Sequence, residues 1–281
     1  MTTDPAYSTL PGVGPYAVEI GGALISMVEP WPGTEAAYNR WYEDDHFYSG
    51  ALAMPWMFAG KRYVATRDLQ LARYPADSVI AQPITAGCYL HLYWITQGRM
   101  DDHIQWTNAT NNRLRADKRI HLERTHVYTS FQDYLGGTAR DARGPLDIHV
   151  LDHGYPGVVM EIVDADPAVG RTDLDRWLAA EYVPWLQRGA HGPVVHTLRF
   201  APQPLPEGKQ PDVDDIPGIE RRVTLLHFLD EDPRVHWLTR FARHGDRIAE
   251  AGVGRLELCA PFIAAVHGTN RYVDELRDAD S

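Results

Sequence analysis

Titratable and aromatic side chains alternate along one apolar segment, residues 87–95, and this spacing could support acid–base chemistry. Alternate side chains of a strand point to opposite faces, so Tyr89, His91 and Tyr93 would share one face. Buried imidazole and hydroxyl groups are costly unless they are hydrogen-bonded or meet a ligand. We therefore predict His91 as a general base or acid, Tyr93 as its catalytic partner and Tyr89 as a substrate contact; the alternative is a hydrogen-bonded core histidine. The opposite face is apolar and would pack beneath helices: Cys88, Leu90, Leu92 and Trp94.

His46 is a second catalytic candidate, at the end of a predicted helix. It follows three carboxylates, Glu43, Asp44 and Asp45. Nearby negative charge favours the imidazolium form, so we expect a raised pKa. His46 would then either bind or protonate a substrate, or complement the helix dipole, an effect of up to ~1 kcal/mol.

Two arginines stand at matching positions of two predicted strands, Arg62 and Arg199. The repetition favours a structural role, with ion pairs to Glu29 and Glu161 on neighbouring strands. The alternative is that Arg62, followed by Tyr63, binds a substrate carboxylate or enolate oxygen.

Three more substrate-binding candidates come from other predicted strands. His126 and Tyr128 share one face of strand 124–131 under regular alternation, although alternation does not say which face points inward. In the second half, the strand corresponding to residues 87–96 carries Val223, Leu225 and His227. This face is chemically poorer, so we predict one site per chain, mainly on the first half, with His227 as a substrate contact.

The elements that would position these side chains occur twice in the same order. Arg40-Trp41 matches Arg176-Trp177 at an offset of 136 residues, and Arg62 matches Arg199 at an offset of 137. Apolar periodicity and turn residues predict strand, helix, strand, strand, helix, strand in each half. The first set covers residues 23–28, 34–46, 56–66, 87–96, 100–116 and 124–131, and the second covers 158–163, 173–182, 194–200, 222–229, 233–251 and 256–267.

This order predicts an α+β fold of two ferredoxin-like βαββαβ modules, residues 1–136 and 157–281, joined by a linker over 137–156. Each module would cover one face of its four-stranded antiparallel sheet with two helices. The other face would be left apolar, which a soluble chain cannot expose. We therefore expect the two sheets to face each other as a barrel, with the candidate side chains lining its lumen.

The motifs of the first half resemble those of EthD-like proteins of the dimeric α+β barrel superfamily. The similarity rests on Met27-Val-Glu-Pro30, on Tyr38-Asn-Arg-Trp-Tyr-Glu-Asp-Asp-His46 and on Arg62-Tyr63, and it extends to the second half in outline. The resemblance implies a duplicated chain with His46 near the mouth of the barrel. It also implies cofactor-independent enzymes among the relatives.

Composition excludes several classes of function. The chain of 281 residues has a net charge of −11 and carries no basic run, so a nucleic-acid partner is not expected. No apolar stretch is long enough to span a bilayer, and no signal peptide is apparent. Only two cysteines occur, without metal-ligand spacing, so we expect a cytoplasmic protein without metal or other cofactor. The expected partner is a small-molecule substrate, and a homodimer is compatible with the sequence.

The leading hypothesis is a cofactor-independent isomerase, cyclase or lyase acting on a small hydrophobic, aromatic or polyketide-like substrate. A histidine would remove a proton next to a carbonyl, and a tyrosine or arginine would stabilise the enolate. The alternatives are a haem enzyme of dehydratase or peroxidase type, a cofactor-free monooxygenase, and a ligand-binding or stress-response barrel without chemistry.

Overall fold

A computed structural model describes residues 18–53, 56–188, 192–215 and 217–278; the outer ends of both predicted modules, at residues 1 and 281, lie outside these ranges. Eight antiparallel strands form one closed barrel, in the order β1-β3-β2-β8-β5-β7-β6-β4. The strands are β1 (Ile20–Pro30), β2 (Met57–Val64), β3 (Tyr89–Thr96), β4 (Arg124–Ala139), β5 (Gly157–Ala165), β6 (Val194–Pro202), β7 (Arg222–Leu229) and β8 (Gly254–Ala264).

Helices cover the outside of the barrel. The longest, α3, has the predicted bounds and buries residues at three- and four-residue spacing, as an amphipathic helix must. π-helical turns interrupt three others, which were predicted as single helices at 34–46, 173–182 and 233–251. The α-helices are α1 (Glu35–Trp41), α2 (Arg67–Leu71), α3 (Met100–Ala116), α4 (Arg171–Trp177), α5 (Val183–Gln187), α6 (Pro233–His236) and α7 (His244–Glu250), and the π-helical segments are Tyr42–Leu52, Leu178–Tyr182 and Trp237–Phe241.

The fold is the predicted mixed α+β barrel, and both halves use the same strand order within the ring. Trp41 and Trp177 end the equivalent helices α1 and α4, and Arg62 and Arg199 lie in the equivalent strands β2 and β6. The halves meet at two junctions of unequal length. β4 pairs with β6 over seven registered positions, from Gln132 to Ala139, whereas β2 pairs with β8 only at Tyr63 and Val64.

The barrel interior is packed with side chains rather than open. Cross-barrel contacts join strands that are not neighbours: the rings of Trp94 and Phe200 stack with centroids 5.4 Å apart, and Tyr63 meets Phe228 at 6.5 Å. Burying each such ring contributes roughly 1.5–3 kcal/mol. The prediction of a ligand-binding lumen is therefore wrong, because apolar side chains from both halves of the barrel fill it.

No described helix is both long enough and apolar enough to cross a membrane.

Candidate active site

A cavity of about 110 Å³ lies between the sheet of the first half and its helices, on the outer face of the barrel. Roughly 10–15 Å³ holds one water molecule on this measure, so the cavity has room for a small planar molecule. Its lining among the described residues holds four candidates selected from the sequence (the first four below), together with two further tyrosines and several apolar side chains. They include His46, His91, Tyr93, His126, Tyr42, Tyr38, Trp41, Leu24, Met57 and Phe131.

His91, Tyr89 and Tyr93 share one strand face as predicted, but that face points outward to the helices. The ring of His91 stacks on Tyr42, which follows α1, with centroids 4.1 Å apart and planes inclined by 13°. Leu92 and Trp94, expected beneath the helices, belong to the alternate face that fills the barrel. Both faces of β3 are fully buried, so alternation grouped the side chains correctly and could not assign their side.

His91 presents an unsatisfied nitrogen at this site. Its side chain is buried, and Nε2 has no hydrogen-bond partner in the part of the chain that the structure describes. Burial and the positive charge of Arg62 hold the pKa of His91 well below its usual range, against a hydrogen bond with the Ser26 main chain that raises it. The imidazole is therefore neutral at pH 7 and carries a proton-accepting site.

Two hydroxyl groups beside His91 form a pair. The Tyr42 and Tyr93 hydroxyls share a short hydrogen bond in which either oxygen can donate. Burial raises the pKa of both phenols, so both keep their protons at neutral pH. Both side chains line the cavity, and whichever hydroxyl accepts within the pair can donate its own proton to a bound molecule.

His46 lines the same cavity, but its protonation differs from the prediction. Its ring stacks on Trp41 with centroids 4.5 Å apart, and Nδ1 is buried without a partner among the described residues. Burial and the nearby Arg124 lower the pKa of His46 to about 3, which overrides the raising effect of Asp45. The expectation of a raised pKa was wrong because the ring is buried, and the cost of burying its charged form outweighs the attraction of the nearby carboxylate.

His126 also lines the cavity, whereas Tyr128 does not. A bulge at Val127 shifts the register, so that Tyr128 pairs with Met27 and His126 with Val28. Tyr128 points into the barrel, where its hydroxyl lies 3.3 Å from Thr224 Oγ1. The two candidates therefore lie on opposite sides of β4, and the prediction that they share a face was wrong.

Arg62 lies outside the lining of the cavity and bonds other residues through Nη1 alone, while its Nε and Nη2 are buried without a partner among the described residues. It pairs with Glu43 and donates to Asn39 Oδ1 over 3.1 Å, and its guanidinium lies between the rings of Tyr42 and Tyr89. The predicted pairing with Glu29 is wrong, because that carboxylate accepts from main-chain amides at Gly87 and Cys88 and pairs with Arg277.

Tyr63, Tyr89 and His227 lie outside the lining of this cavity. Tyr63 packs inside the barrel, and Tyr89 packs under Arg62. His227 belongs to the second half, where Nε2 lies 3.0 Å from Glu161 and Nδ1 lies 2.9 Å from Thr197 Oγ1. The predicted pair between Arg199 and Glu161 is also wrong, because Arg199 bonds Asp175 at 2.7 Å.

The second half fills the space that forms the cavity in the first. Ser26 stands opposite His91 in the β1–β3 pairing, and Glu161 stands opposite Leu225 in the β5–β7 pairing. Glu161 is fully buried and accepts hydrogen bonds from its neighbours, and His227 and His244 hold its pKa far below the usual range. Apolar side chains occupy the rest of this interface: Leu174, Leu178, Val183, Val223, Leu225, Phe241 and Ile248.

Sequence analysis did not select three parts of the cavity wall. Arg124 stands two residues before His126, and the helix spacing of Tyr38 and Tyr42 could have suggested that they face the same side. The third part comes from the second half: residues 203–215, which we call the roof segment, connect β6 towards β7 and close the cavity with Leu205, Pro206, Lys209, Gln210 and Val213.

Solved structures of low sequence identity share this fold. An anthrone oxidase-like protein superposes with a TM-score of 0.54 at 8% identity, covering 88% of this chain and 92% of its own. The encapsulated DyP-type peroxidase of Mycobacterium smegmatis gives 0.51 at 14% identity, covering 95% and 97%. A DypB variant of Rhodococcus jostii RHA1 in complex with heme gives 0.51 at 10% identity, covering 94% and 97%. No family model and no curated protein matches the chain.

Three of the described histidines, His91, His227 and His244, do not fit as ligands of a haem. An axial histidine needs a free ring nitrogen facing a space large enough for the porphyrin. Both nitrogens of His227 are hydrogen-bonded, and His244 bonds Glu161 at 3.2 Å beside a cavity of only about 70 Å³. His91 is stacked against Tyr42 in a cavity of about 110 Å³, too small for the macrocycle.

Proposed function

We propose that this protein is a cofactor-independent enzyme that removes a proton from an enolisable aromatic or polyketide-like substrate, with His91 as the base. The observation that carries the proposal is the neutral His91 imidazole, whose Nε2 is buried and has no partner among the described residues. The other fully buried histidine of an equivalent strand, His227, uses both nitrogens in structural bonds. An imidazole kept unsatisfied next to a cavity is costly unless a ligand completes it.

The low pKa of free His91 rises when an anion forms beside it. Proton removal next to a carbonyl leaves an enolate, and a negative charge within a few ångströms favours the imidazolium form. The proton therefore moves to Nε2 as the charge develops on the substrate oxygen. Because Tyr42 lies flat against the ring, His91 needs no reorientation during this step.

The tyrosine pair is placed to hold the substrate oxygen. In the arrangement in which Tyr42 donates to Tyr93, the Tyr93 proton is free to donate into the cavity. In other enzymes, a preorganised donor aimed at a developing oxyanion lowers the activation barrier by about 2.7–4 kcal/mol. His46, with its unpartnered Nδ1, would contact the polar edge of the substrate from the other wall.

The fate of the anion defines the reaction. Return of the proton from His91 to a different carbon gives isomerisation, attack of the carbanion on a second carbonyl gives cyclisation, and expulsion of a neighbouring group gives elimination. Reaction of the same carbanion with dioxygen would make the protein a cofactor-free monooxygenase. All four begin with the same proton transfer, so that step is the one to test.

Anthrone is a suitable probe because its methylene hydrogens are acidic and lie next to a conjugated carbonyl system, but its three rings require the cavity of about 110 Å³ to widen on binding. The purified protein is incubated with anthrone in D₂O under nitrogen, and deuterium uptake is followed by mass spectrometry. We expect exchange above the buffer rate in the wild type and only the buffer rate in His91→Asn. Admitting air and measuring oxygen consumption then distinguishes the oxygenation outcome.

Equal exchange by the wild type and His91→Asn would overturn the proposal. Tight binding of anthrone without any accelerated exchange would support the ligand-binding alternative instead. A thermal melt of each variant shows that the compared proteins are folded.

A further inference from the structure

One buried cation of the cavity lacks a close counter-ion. Arg124 lines the cavity, and only about 6% of its side chain is exposed. Its sole carboxylate contact among the described residues is Asp212 Oδ2, at 3.4 Å from Nη2. By comparison, the buried Arg222 binds Asp164 through two bonds of 2.8 Å each. Burying an arginine normally requires such close pairing, so Arg124 has capacity for a further anion.

The remaining donors of Arg124 fix the guanidinium in place. Nε donates to His126 Nε2 over 3.1 Å, Nη1 bonds the His121 carbonyl, and the group lies 5.2 Å from the centre of the Trp41 ring. The guanidinium is thus preorganised, with Nη2 as the edge left for an anion.

Asp212 can leave Arg124 without losing its own charge partner. It belongs to the roof segment and lies 2.8 Å from Arg115 Nη2, a shorter contact than the one to Arg124. No aspartate or glutamate occurs among the described residues that line the cavity. The other lining cation, Lys209, is already bonded to the Val213 carbonyl and to Asp215.

We infer that the substrate of this site is an aromatic carboxylate, whose carboxylate binds Arg124 Nη2 in place of Asp212. A carboxylate already occupies this position from within the chain, which indicates the group that the site accepts. The inference rests on the proposed function, because it places the anionic end of the substrate at Arg124 and its reactive carbon at His91. The aromatic walls formed by Trp41, Tyr38 and Phe131 suit the ring.

The test compares 2-naphthoate with 2-naphthamide, two probes of nearly equal shape that differ in charge. Dissociation constants are measured by isothermal titration calorimetry at one fixed ionic strength. Hydrogen bonds to charged groups are worth about 1.5–3 kcal/mol, so we expect the wild type to prefer the carboxylate by roughly 10- to 100-fold. Arg124→Gln should bring the preference close to one.

Asp212→Asn provides a second variant at a half-buried loop position, where loss of folding is not expected. Because this variant removes the carboxylate that competes for Arg124, the dissociation constant of 2-naphthoate should fall and that of 2-naphthamide should stay unchanged. Lys209→Gln tests the other lining cation, and most of the preference should remain.

Three results would overturn the inference: no preference in the wild type, a preference that survives in folded Arg124→Gln, or unchanged 2-naphthoate affinity in Asp212→Asn. The His91→Asn variant separates this inference from the proposed function, because it should lose the exchange activity and still prefer 2-naphthoate over 2-naphthamide. If the carboxylate preference is present but no protein accelerates exchange, the proposed enzyme activity is wrong and the anion site stands. If the wild type accelerates exchange but shows no carboxylate preference, the enzyme activity stands and the anion site is wrong.

Discussion

The imidazole of His91 lies flat against the phenol ring of Tyr42, with their centroids 4.1 Å apart, although the two residues come from a strand and a π-helical turn 49 positions apart in the chain. This contact fixes the plane of the histidine while Nε2 stays unpartnered among the described atoms. Stacked aromatic pairs contribute about 0.5–1.5 kcal/mol beyond their buried area. The orientation of the candidate base is therefore set before any ligand arrives.

Replacing His91 tests catalysis against packing. His91→Ala should lower the rate of anthrone exchange by about 10²- to 10⁴-fold, because a general base is removed. The free energy of unfolding should fall as well, because the buried ring loses its stacking on Tyr42 and its hydrogen bond with the Ser26 main chain, so rates are compared per folded fraction. Leu225→Ala, at the corresponding position of β7, should instead cost about 2–5 kcal/mol of stability and leave the exchange rate of the folded fraction intact. Unfolding of His91→Ala with normal turnover in the surviving fraction would make His91 a core residue.

The tyrosine pair gives a double-mutant test. Tyr93→Phe leaves the Tyr42 hydroxyl buried without its partner, so the free energy of unfolding should fall by about 1–3 kcal/mol. The double variant with Tyr42→Phe removes both hydroxyls and should recover part of that loss. If Tyr93 holds the substrate oxygen, its variant should also exchange anthrone about 10²- to 10³-fold more slowly. Urea unfolding curves and exchange rates measure the two effects separately, and full activity in Tyr93→Phe would remove it from the proposed mechanism.

The attachment of the roof segment can be loosened without touching the cavity. Arg115 donates to Gln210 Oε1 over 2.7 Å and contacts Asp212, and it is not part of the cavity lining. Arg115→Gln should therefore increase cleavage of residues 203–215 by a nonspecific protease and weaken probe binding. Arg176→Gln is the matched control, because it breaks an exposed ion pair with Asp173 far from the roof segment in sequence. Equal cleavage of the two variants would contradict the prediction that the contacts of Arg115 hold the roof segment in place.

Stability should fall with mild acid. The pKa of His46 and that of His126 are both lowered to about 3 in the folded protein, whereas a histidine of the unfolded chain takes up a proton near pH 6.5. Between these values the unfolded state binds more protons, so each histidine lowers the free energy of unfolding by about 1.4 kcal/mol per pH unit below 6.5. The carboxylate of Glu43, with a pKa of about 2, adds its own loss only below about 4.5. Urea unfolding at pH 7.5 and 5.5 checks this; His46→Asn should show a smaller difference, and an unchanged difference would contradict a neutral His46.

The sequence was sufficient to predict the order of elements, because apolar periodicity and turn residues are local signals. It also grouped Tyr89, His91 and Tyr93 correctly, since alternation is a property of any strand. It could not place that group, because both faces of β3 are buried and the polar one was assumed to need a lumen. In the structure the helix-side interface holds the polar set, and the lumen is filled by rings such as Trp94 and Phe200.

Three features of the site depend on information that no local pattern carries. The bulge at Val127 separates His126 from Tyr128, and a single extra residue leaves no clear mark in the sequence. The low pKa of His46 results mainly from burial of its ring, which stacks on Trp41. The roof segment reaches the cavity across the junction between the halves, about 100 residues from the residues it covers.

The barrel should open locally at one of its two junctions, because the β2–β8 junction is much shorter than the β4–β6 junction. β2 and β8 share a ladder only at Tyr63–Ala264 and Val64–Ile263, whereas β4 and β6 are paired along most of their shared length. Partial opening costs least where the fewest main-chain bonds must break, so the ring should part along β2 and β8 while the β4–β6 junction stays closed. Amide protons on the two facing stretches would then exchange with solvent faster than those of the long junction. The roof segment, which follows β6, would stay attached at the β4–β6 junction while the barrel opens between β2 and β8.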